Sequence, residues 1–164
     1  MIDSFNKLCY DFNYIERRDI MEYIWTTDLN TSYYNDALEI RKKVFIEEQH
    51  VPLELEIDDL EDQTIHVIGY LENKPVATAR LYQKNATSVK VQRVAVSIDF
   101  RKKNLGNQLM LEIERYAKTR HVEKLILDAQ DHALNFYKNL GYQVEGEGFM
   151  DAGIPHHTMI KVLN

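Results

Sequence analysis

The stretch Val91 to Leu111, VQRVAVSIDFRKKNLGNQLML, places a strand-like run, a basic turn and an amphipathic run in immediate succession. The turn Arg101-Lys102-Lys103-Asn104-Leu105-Gly106 sets three consecutive cations ahead of the first helical turn. The first amides of a helix have no internal carbonyl partners and point outward, so this junction is suited to an anion such as a phosphate. Gly106 permits close backbone approach, and Asn104 is one of the few non-glycine types that accept a left-handed conformation. A solvated basic turn ahead of an ordinary surface helix would read the same way. No Walker loop and no dinucleotide-binding glycine fingerprint is present.

Other reactive side chains are scattered. Glu54 to Asp62 carries six acids and no base. It lacks the central glycine and terminal spacing of a calcium loop, which leaves a solvated loop or a surface that attracts cations. His156 and His157 are adjacent and would face opposite sides of a strand, so they do not readily share a metal. His66 falls mid-strand, where a core or surface role is open to it. Cys9 is the only cysteine, which excludes an internal disulfide framework and a Cys-rich zinc module. No catalytic metal is expected.

The elements that must position these residues follow from periodicity. Tyr23 to Thr27 reads as a strand. Asp36 to Glu48 reads as a helix with Ala37, Ile40, Val44 and Glu48 on one stripe, ended by Val51-Pro52. Thr64 to Leu71 and Val76 to Tyr82 form a hairpin across Glu72-Asn73-Lys74-Pro75. Val89 to Val96 alternates as a third strand, and Leu105 to Arg120 is the strongest amphipathic helix. Leu125 to Leu127 is apolar enough for a strand buried on both faces. Asp131 to Asn139 is a short helix closed by Gly141, followed by strands over Tyr142 to Glu145 and His157 to Val162. This order predicts an α/β (α+β) fold, a single mixed, mostly antiparallel sheet flanked by helices.

Length and composition agree with one domain. The chain has 164 residues, near the ~150 typical of a domain. It is 45% hydrophobic and 28% charged, values of a globular protein rather than a disordered one. The net charge of −6 argues against a general nucleic-acid binder, and no apolar run approaches a membrane span. A cytoplasmic domain over residues 21–164 is expected. Residues 1–20, with Phe5, Leu8, Phe12 and Ile15 at near-helical spacing, read as a docking helix, a loose extension, or a reading frame whose natural start is Met21. The excess of six acids matches the number in Glu54 to Asp62, which places the net charge there as a local acidic patch.

Two stretches together carry a family signature. Arg101, followed at the third and fifth positions by Asn104 and Gly106, resembles the turn of the GNAT N-acetyltransferase superfamily, with Asn104 standing where glycine is usual. Ala133, Tyr137, Gly141 and Tyr142 match the same superfamily's later helix without a gap. LEIRKKVFIEEQHV, EIDDLED, PVATARL, VQRVAV, LDAQDHALNFYKNLGY and GIPHHTM together look like its ElaA-like branch. The resemblance covers roughly Ala37 to Val162.

That resemblance implies acetyl-coenzyme A as co-substrate and an amine as acceptor. The pyrophosphate would lie against Arg101, Lys102, Lys103, Asn104, Leu105, Gly106 and Asn107. The pantetheine arm would run beside Val94, Ala95 and Val96, with Gln130 and Asn135 as further contacts. This requires the Val89–Val96 and Leu125–Leu127 strands to splay apart. A backbone N–H near Val94 would meet the thioester oxygen. Tyr137 would protonate the departing thiolate, since a phenol keeps its proton at neutral pH yet can give it to a thiolate. For the base, Glu48, Glu56, His66, His156 or a water chain stay open, with Glu48 and His156 taken forward. Glu56, Asp58, His66 and His157 are the expected acceptor contacts, with Glu56 and Asp58 rimming the mouth. A homodimer is compatible with the sequence. Two other readings remain: a coenzyme A-binding module without turnover, and an acyl-homoserine-lactone synthase, similar in Arg41, Val44, Phe45, Glu56 and Asp58.

Overall fold

Alternating burial along the central strands builds one sheet with a helical layer on each face. The computed structural model describes residues 20–164, so Cys9 and the spaced apolar residues of 1–19 lie outside the described residues. The strands are β1 (Glu22–Thr26), β2 (Thr64–Leu71), β3 (Lys74–Asn85), β4 (Ser88–Val96), β5 (Lys124–Gln130), β6 (Gln143–Val144), β7 (Phe149–Asp151) and β8 (Ile154–Val162). They run in the order β1-β2-β3-β4-β5-β8-β6, with β7 also on β8. Among the described residues only β4 and β5 pair in parallel; the other pairings are antiparallel. The sheet is therefore mixed and mostly antiparallel, as the sequence predicts.

Helix α1 (Ser32–Arg41) starts earlier than its apolar stripe suggests, because the Thr31 hydroxyl accepts the Tyr34 N–H at 3.2 Å and caps it. It continues into a π-helical turn over Lys42–Glu48. Ala37, Ile40 and Val44 bury against Ile68 and Ala95 on one face of the sheet. Helix α2 (Leu53–Glu56) is a single turn, and α3 (Leu105–Thr119) and α4 (Leu134–Asn139) follow β4 and β5. Leu105, Leu109, Met110, Ile113 and Ala117 of α3 pack on Val67, Ala77, Val91, Leu125 and Leu127 on the other face. Glu72 and Asn73, at φ 49° and 64°, make the tight turn between β2 and β3. β7 was not expected from the sequence; it forms a hairpin with β8 across Ala152 (φ 48°) and Gly153 (φ 75°).

The centre of the sheet is irregular. Thr78 pairs with Ala95 while Arg80 pairs with Gln92, so Ala79 alone faces both Arg93 and Val94. This is a β-bulge, and Arg93 takes a left-handed φ of 54° in it. Pairing between β4 and β5 stops at Val91 and Leu127, just short of the bulge. β5 then stays with β8 as far as Gln130. The strands part at their C-terminal ends, leaving a split between Gln92–Val96 and Asp128–Gln130.

Candidate active site

Two clefts open on either side of this split. The first, about 460 Å³, is lined by Val94, Ala95, Val96, Phe100 and the turn into α3, and closed by Phe136 of α4. The second, about 420 Å³, lies between the α1–α2 side, the bulge of β4, the end of β5 and the β7–β8 turn. Val94, Ala133 and Tyr137 line both.

The first cleft is built at a helix N-terminus. The Gln108 N–H reaches the Asn104 carbonyl at 3.2 Å. The amides of Leu105, Gly106 and Asn107 precede it in the first turn and have no such intrahelical carbonyl. Asn104 sits at φ 61°, ψ 13°, the left-handed region that a glycine at this position would occupy freely. Its side-chain oxygen accepts from the Asn107 amide at 2.5 Å. A Cβ on Gly106 would lie 3.2 Å from the Phe136 ring, so glycine lets α3 and α4 approach across the cleft. Arg101, Lys102, Asn104, Leu105, Gly106 and Asn107 all line it, whereas the Lys103 ammonium lies over the Phe100 ring, 5.3 Å from its centroid. Arg101 is tied down: its Nε donates to the Val96 carbonyl at 2.9 Å and its Nη2 pairs with Glu48 at 2.9 Å. Replacing Asn104 by glycine should leave stability unchanged or slightly raised. Valine there should cost about 1–2 kcal/mol, the penalty for forcing a Cβ-bearing residue left-handed. Urea unfolding of the two variants measures the difference, and equal stability would contradict the left-handed turn.

Tyr137 stands where the clefts meet. Its ring is held edge-on by Phe136 and Tyr142, with centroids 4.9 Å and 5.8 Å away. Its hydroxyl has no hydrogen-bond partner among the described residues, yet is not sealed off. Burial pushes its pKa up to about 12, so the phenol keeps its proton. Asn135, two residues earlier, lines neither cleft. Gln130 lines the second cleft rather than the first and is engaged by Gln49, donating to its carbonyl oxygen at 2.8 Å.

The acidic segment departs most from expectation. Half of its six acids face arginines from three separate elements. Arg41 of α1 pairs with Glu56 at 2.5 Å and Glu61 at 2.7 Å. Arg80 of β3 pairs with Asp58 at 2.7 Å and Glu61 at 2.6 Å, and Arg93 of β4 reaches Glu56 at 2.8 Å. The Tyr34 hydroxyl also donates to Glu61 at 2.8 Å. Glu56 is 2% exposed and Arg80 0%. Glu56, Asp58 and Glu61 are thus neutralised in a network whose Glu56 and Asp58 line one wall of the second cleft, while Glu54, Asp59 and Asp62 stay exposed. Glu56 and Asp58 do line that cleft, but as ion-paired groups, which corrects the reading of a free acidic patch.

The remaining candidates separate. His66 is fully buried; its Nε2 lies 3.1 Å from the Glu61 carbonyl and from Thr64 Oγ1, and it reaches neither cleft. Burial holds its pKa down. An acceptor contact by His66 is therefore excluded by position. Glu48 lines neither cleft and spends its carboxylate on Arg101, which removes the geometry a general base needs. His157 points away from the clefts and donates from Nδ1 to Asp131 at 2.7 Å. His156 alone among the histidines lines the second cleft. Its Nδ1 donates to the Ile154 carbonyl at 2.7 Å, and Phe149 stacks on the ring at 5.8 Å. That bond fixes the tautomer and leaves Nε2 as the acceptor. Arg93 and the β7–β8 turn were missed as site elements; the signal for Arg93 was a long cation inside an otherwise alternating strand.

Among the described residues no helix is long and apolar enough to cross a membrane. The family model for the acetyltransferase (GNAT) domain matches residues 30–163. The uncharacterized N-acetyltransferase YjcF of Bacillus subtilis is 39% identical over 133 residues, 80% of this chain and 94% of that protein. ElaA of Escherichia coli is 31% identical over 139 residues, 82% of this chain and 91% of its own. Its crystal structure superposes with a TM-score of 0.77, covering 87% of this chain and 99% of that one. A candidate N-acetyltransferase from Lactobacillus plantarum superposes at 0.82 with 26% identity, covering 88% and 99%. An aminoglycoside 6'-N-acetyltransferase complexed with coenzyme A, at TM-score 0.67, and a coenzyme A-dependent acyl-homoserine lactone synthase, at 0.71, are each 17% identical and share the fold alone. With the turn, the split sheet and the later helix all in place, the chain belongs to the GNAT acetyltransferase family, in its ElaA-like branch, and is an acyltransferase.

Proposed function

We propose that the protein transfers an acetyl group from acetyl-coenzyme A to a primary amine of a small molecule, peptide or protein, by direct attack of the amine on the thioester. One observation carries this reading. A cleft suited to an anionic donor and a cleft with a free histidine nitrogen meet at Tyr137, Val94 and Ala133.

The residues present fit the donor. The first-turn amides of α3 and the Lys102 charge suit a pyrophosphate, and Gly106 keeps that approach clear of a Cβ. Beyond Val91 the β4 backbone has no β5 neighbour, so Val94 to Val96 can pair with an extended pantetheine arm as with an added strand. A backbone N–H near Val94 stabilises the oxyanion on the thioester carbon. His156 Nε2 takes the amine proton, directly or through water, as the C–N bond forms. When the C–S bond breaks, Tyr137 gives its proton to the thiolate and regains one from solvent or the base. Asp151, on the β7–β8 turn, adds a carboxylate at the mouth of the acceptor cleft. The fold neighbour crystallised with coenzyme A supports the choice of donor. A cytoplasmic location fits a protein that draws on this metabolite.

Calorimetric titration with acetyl-coenzyme A, alongside thiol release over a panel of amines, tests the reading. Wild-type protein should bind and turn over. Gly106→Val should bind at least tenfold more weakly, because its Cβ would crowd the Phe136 ring. Absence of binding would remove the donor assignment. Binding without thiol release for any amine would remove the acceptor assignment, and release only with S-adenosylmethionine would point to lactone synthesis.

A further inference from the structure

We propose that Arg93 is a positioning residue, locking the bulge of β4 to the α2 wall and so fixing the acceptor cleft relative to the backbone that faces the thioester. This rests on reading the two clefts as donor and acceptor sites.

The backbone gives the first indication. Arg93 adopts φ 54° in the middle of a strand, a conformation that disfavours any residue with a Cβ. The bulge sets this conformation, and a residue with a Cβ holds it at a cost. The side chain supplies what the backbone lacks. Its Nη2 donates to the Leu55 carbonyl at 2.7 Å and to the Glu56 carbonyl at 3.2 Å. Its Nε lies 2.8 Å from Glu56 Oε2, and Nη2 reaches Asp58 Oδ2 at 3.2 Å.

Those two carbonyls close α2, a helix of four residues that is too short to hold itself. Helix ends leave their last carbonyls without partners; here the guanidinium from a distant strand takes the Leu55 carbonyl and shares the Glu56 carbonyl with Arg41, whose Nη2 donates to it at 2.7 Å. Arg93 sits two positions after the last β4–β5 pair, at Val91 and Leu127. One side chain therefore ties three features together: the bulge, the start of the split and the α2 wall. Arg93 also lines the acceptor cleft, and its side chain is 21% exposed. Its removal opens no sealed cavity. Glu56 and Asp58 keep Arg41 and Arg80 as partners without it, so the variant retains most of the network.

Lysine cannot take over this role. One ammonium presents a single point charge on a flexible stem, whereas the guanidinium presents a planar fork matched to two carbonyls and two carboxylates. Glycine is the informative substitution, because it accepts a positive φ freely while removing every side-chain contact.

Steady-state kinetics and acetyl-coenzyme A titrations on wild type, Arg93→Lys, Arg93→Gly and Arg93→Ala, all well below their Tm, test the proposal. In every variant kcat should fall at least tenfold, while the Kd for acetyl-coenzyme A stays within about threefold, since the anion site lies elsewhere. Arg93→Gly should retain about fivefold more kcat than Arg93→Ala, because only glycine keeps the bulge without the tie. A purely structural role predicts instead a lowered Tm with kcat and acceptor KM close to wild type in variants that are folded at the assay temperature. Wild-type kcat and acceptor KM in Arg93→Ala would overturn the proposal, as would a kcat for glycine below that for alanine. Failure of the wild type to bind acetyl-coenzyme A would instead overturn the donor assignment, and the same titration shows this before any variant is compared.

Discussion

Tyr137→Phe is expected to lower kcat about 10²-fold, the low end of what a positioned general acid contributes, with the Kd for acetyl-coenzyme A and the Tm nearly unchanged. The structural cost should be small for two reasons. Phe136 and Tyr142 hold the ring by edge contacts that a phenylalanine keeps. The hydroxyl has no partner among the described residues, so its loss orphans no buried group. The chemical cost should be large because Tyr137 lines both clefts. With a pKa pushed up to about 12 by burial, Tyr137 stays protonated across the working range. A loss of rate on raising pH to about 10 therefore cannot come from this phenol. The substitution should lower the pH–rate profile without moving its limbs. Steady-state kinetics across pH measures both points, and an unchanged kcat would exclude Tyr137 as the acid.

What was legible in the sequence was local. The turn into α3 reads directly, because its conformation depends on Asn104, Gly106 and the helix that follows. Asn104 departs from the usual glycine yet meets the same requirement, φ 61°, by the one property it shares with glycine. The hairpin of β2 and β3 and the periodicity of α3 are equally short-range. The phase of α1 after Val44 was not legible. A stripe at α-helical spacing carries Glu48 onto the core side, whereas the π-helical turn shifts the phase and leaves Glu48 to Arg101. β7 escaped notice because Phe149–Asp151 is only three residues, too few to show alternation. The acidic segment shows the same limit at longer range. Glu56, Asp58 and Glu61 look uncompensated in the chain because their partners, Arg41, Arg80 and Arg93, lie on α1, β3 and β4. Only the folded sheet brings these cations to one place, and with them the wall of the acceptor cleft.

That network sets the largest expected loss of stability. Arg80→Met should destabilise the protein by about 3 kcal/mol at pH 7, the lower end of the range for removing one member of a buried ion cluster. Arg80 is completely buried and donates to both oxygens of Asp58, at 2.8 Å and 2.7 Å, and to Glu61 at 2.6 Å. The lower end applies because Glu61 keeps Arg41 and Tyr34, and Asp58 is 30% exposed. The dependence on pH identifies the cause. Burial alone would raise the carboxyl pKa values, but Arg80, the Leu60 amide and Arg93 together outweigh it at Asp58, and Arg41, Tyr34 and Arg80 together outweigh it at Glu61, so both end below their ordinary values. Groups depressed in the folded state stabilise it above the ordinary carboxylate range, and that contribution is lost as pH falls through the folded values. Without Arg80 the two carboxyls protonate at higher pH, and protonation relieves the unpaired charge. The gap between wild type and Arg80→Met should therefore shrink as pH falls from 7 toward about 3.5, where carboxylates titrate. His66, held neutral by burial, costs stability as pH drops below its ordinary value of about 6.5, but it does so in both proteins and largely cancels in the difference. Adding Glu61→Gln to Arg80→Met rebalances the network, with Arg41 and Arg93 against Glu56 and Asp58, and should recover about half of the loss at pH 7. Urea unfolding of the three proteins at both pH values decides the matter. A gap that stays constant with pH, or no recovery in the double variant, would mean that Arg80 acts through packing rather than through its charge.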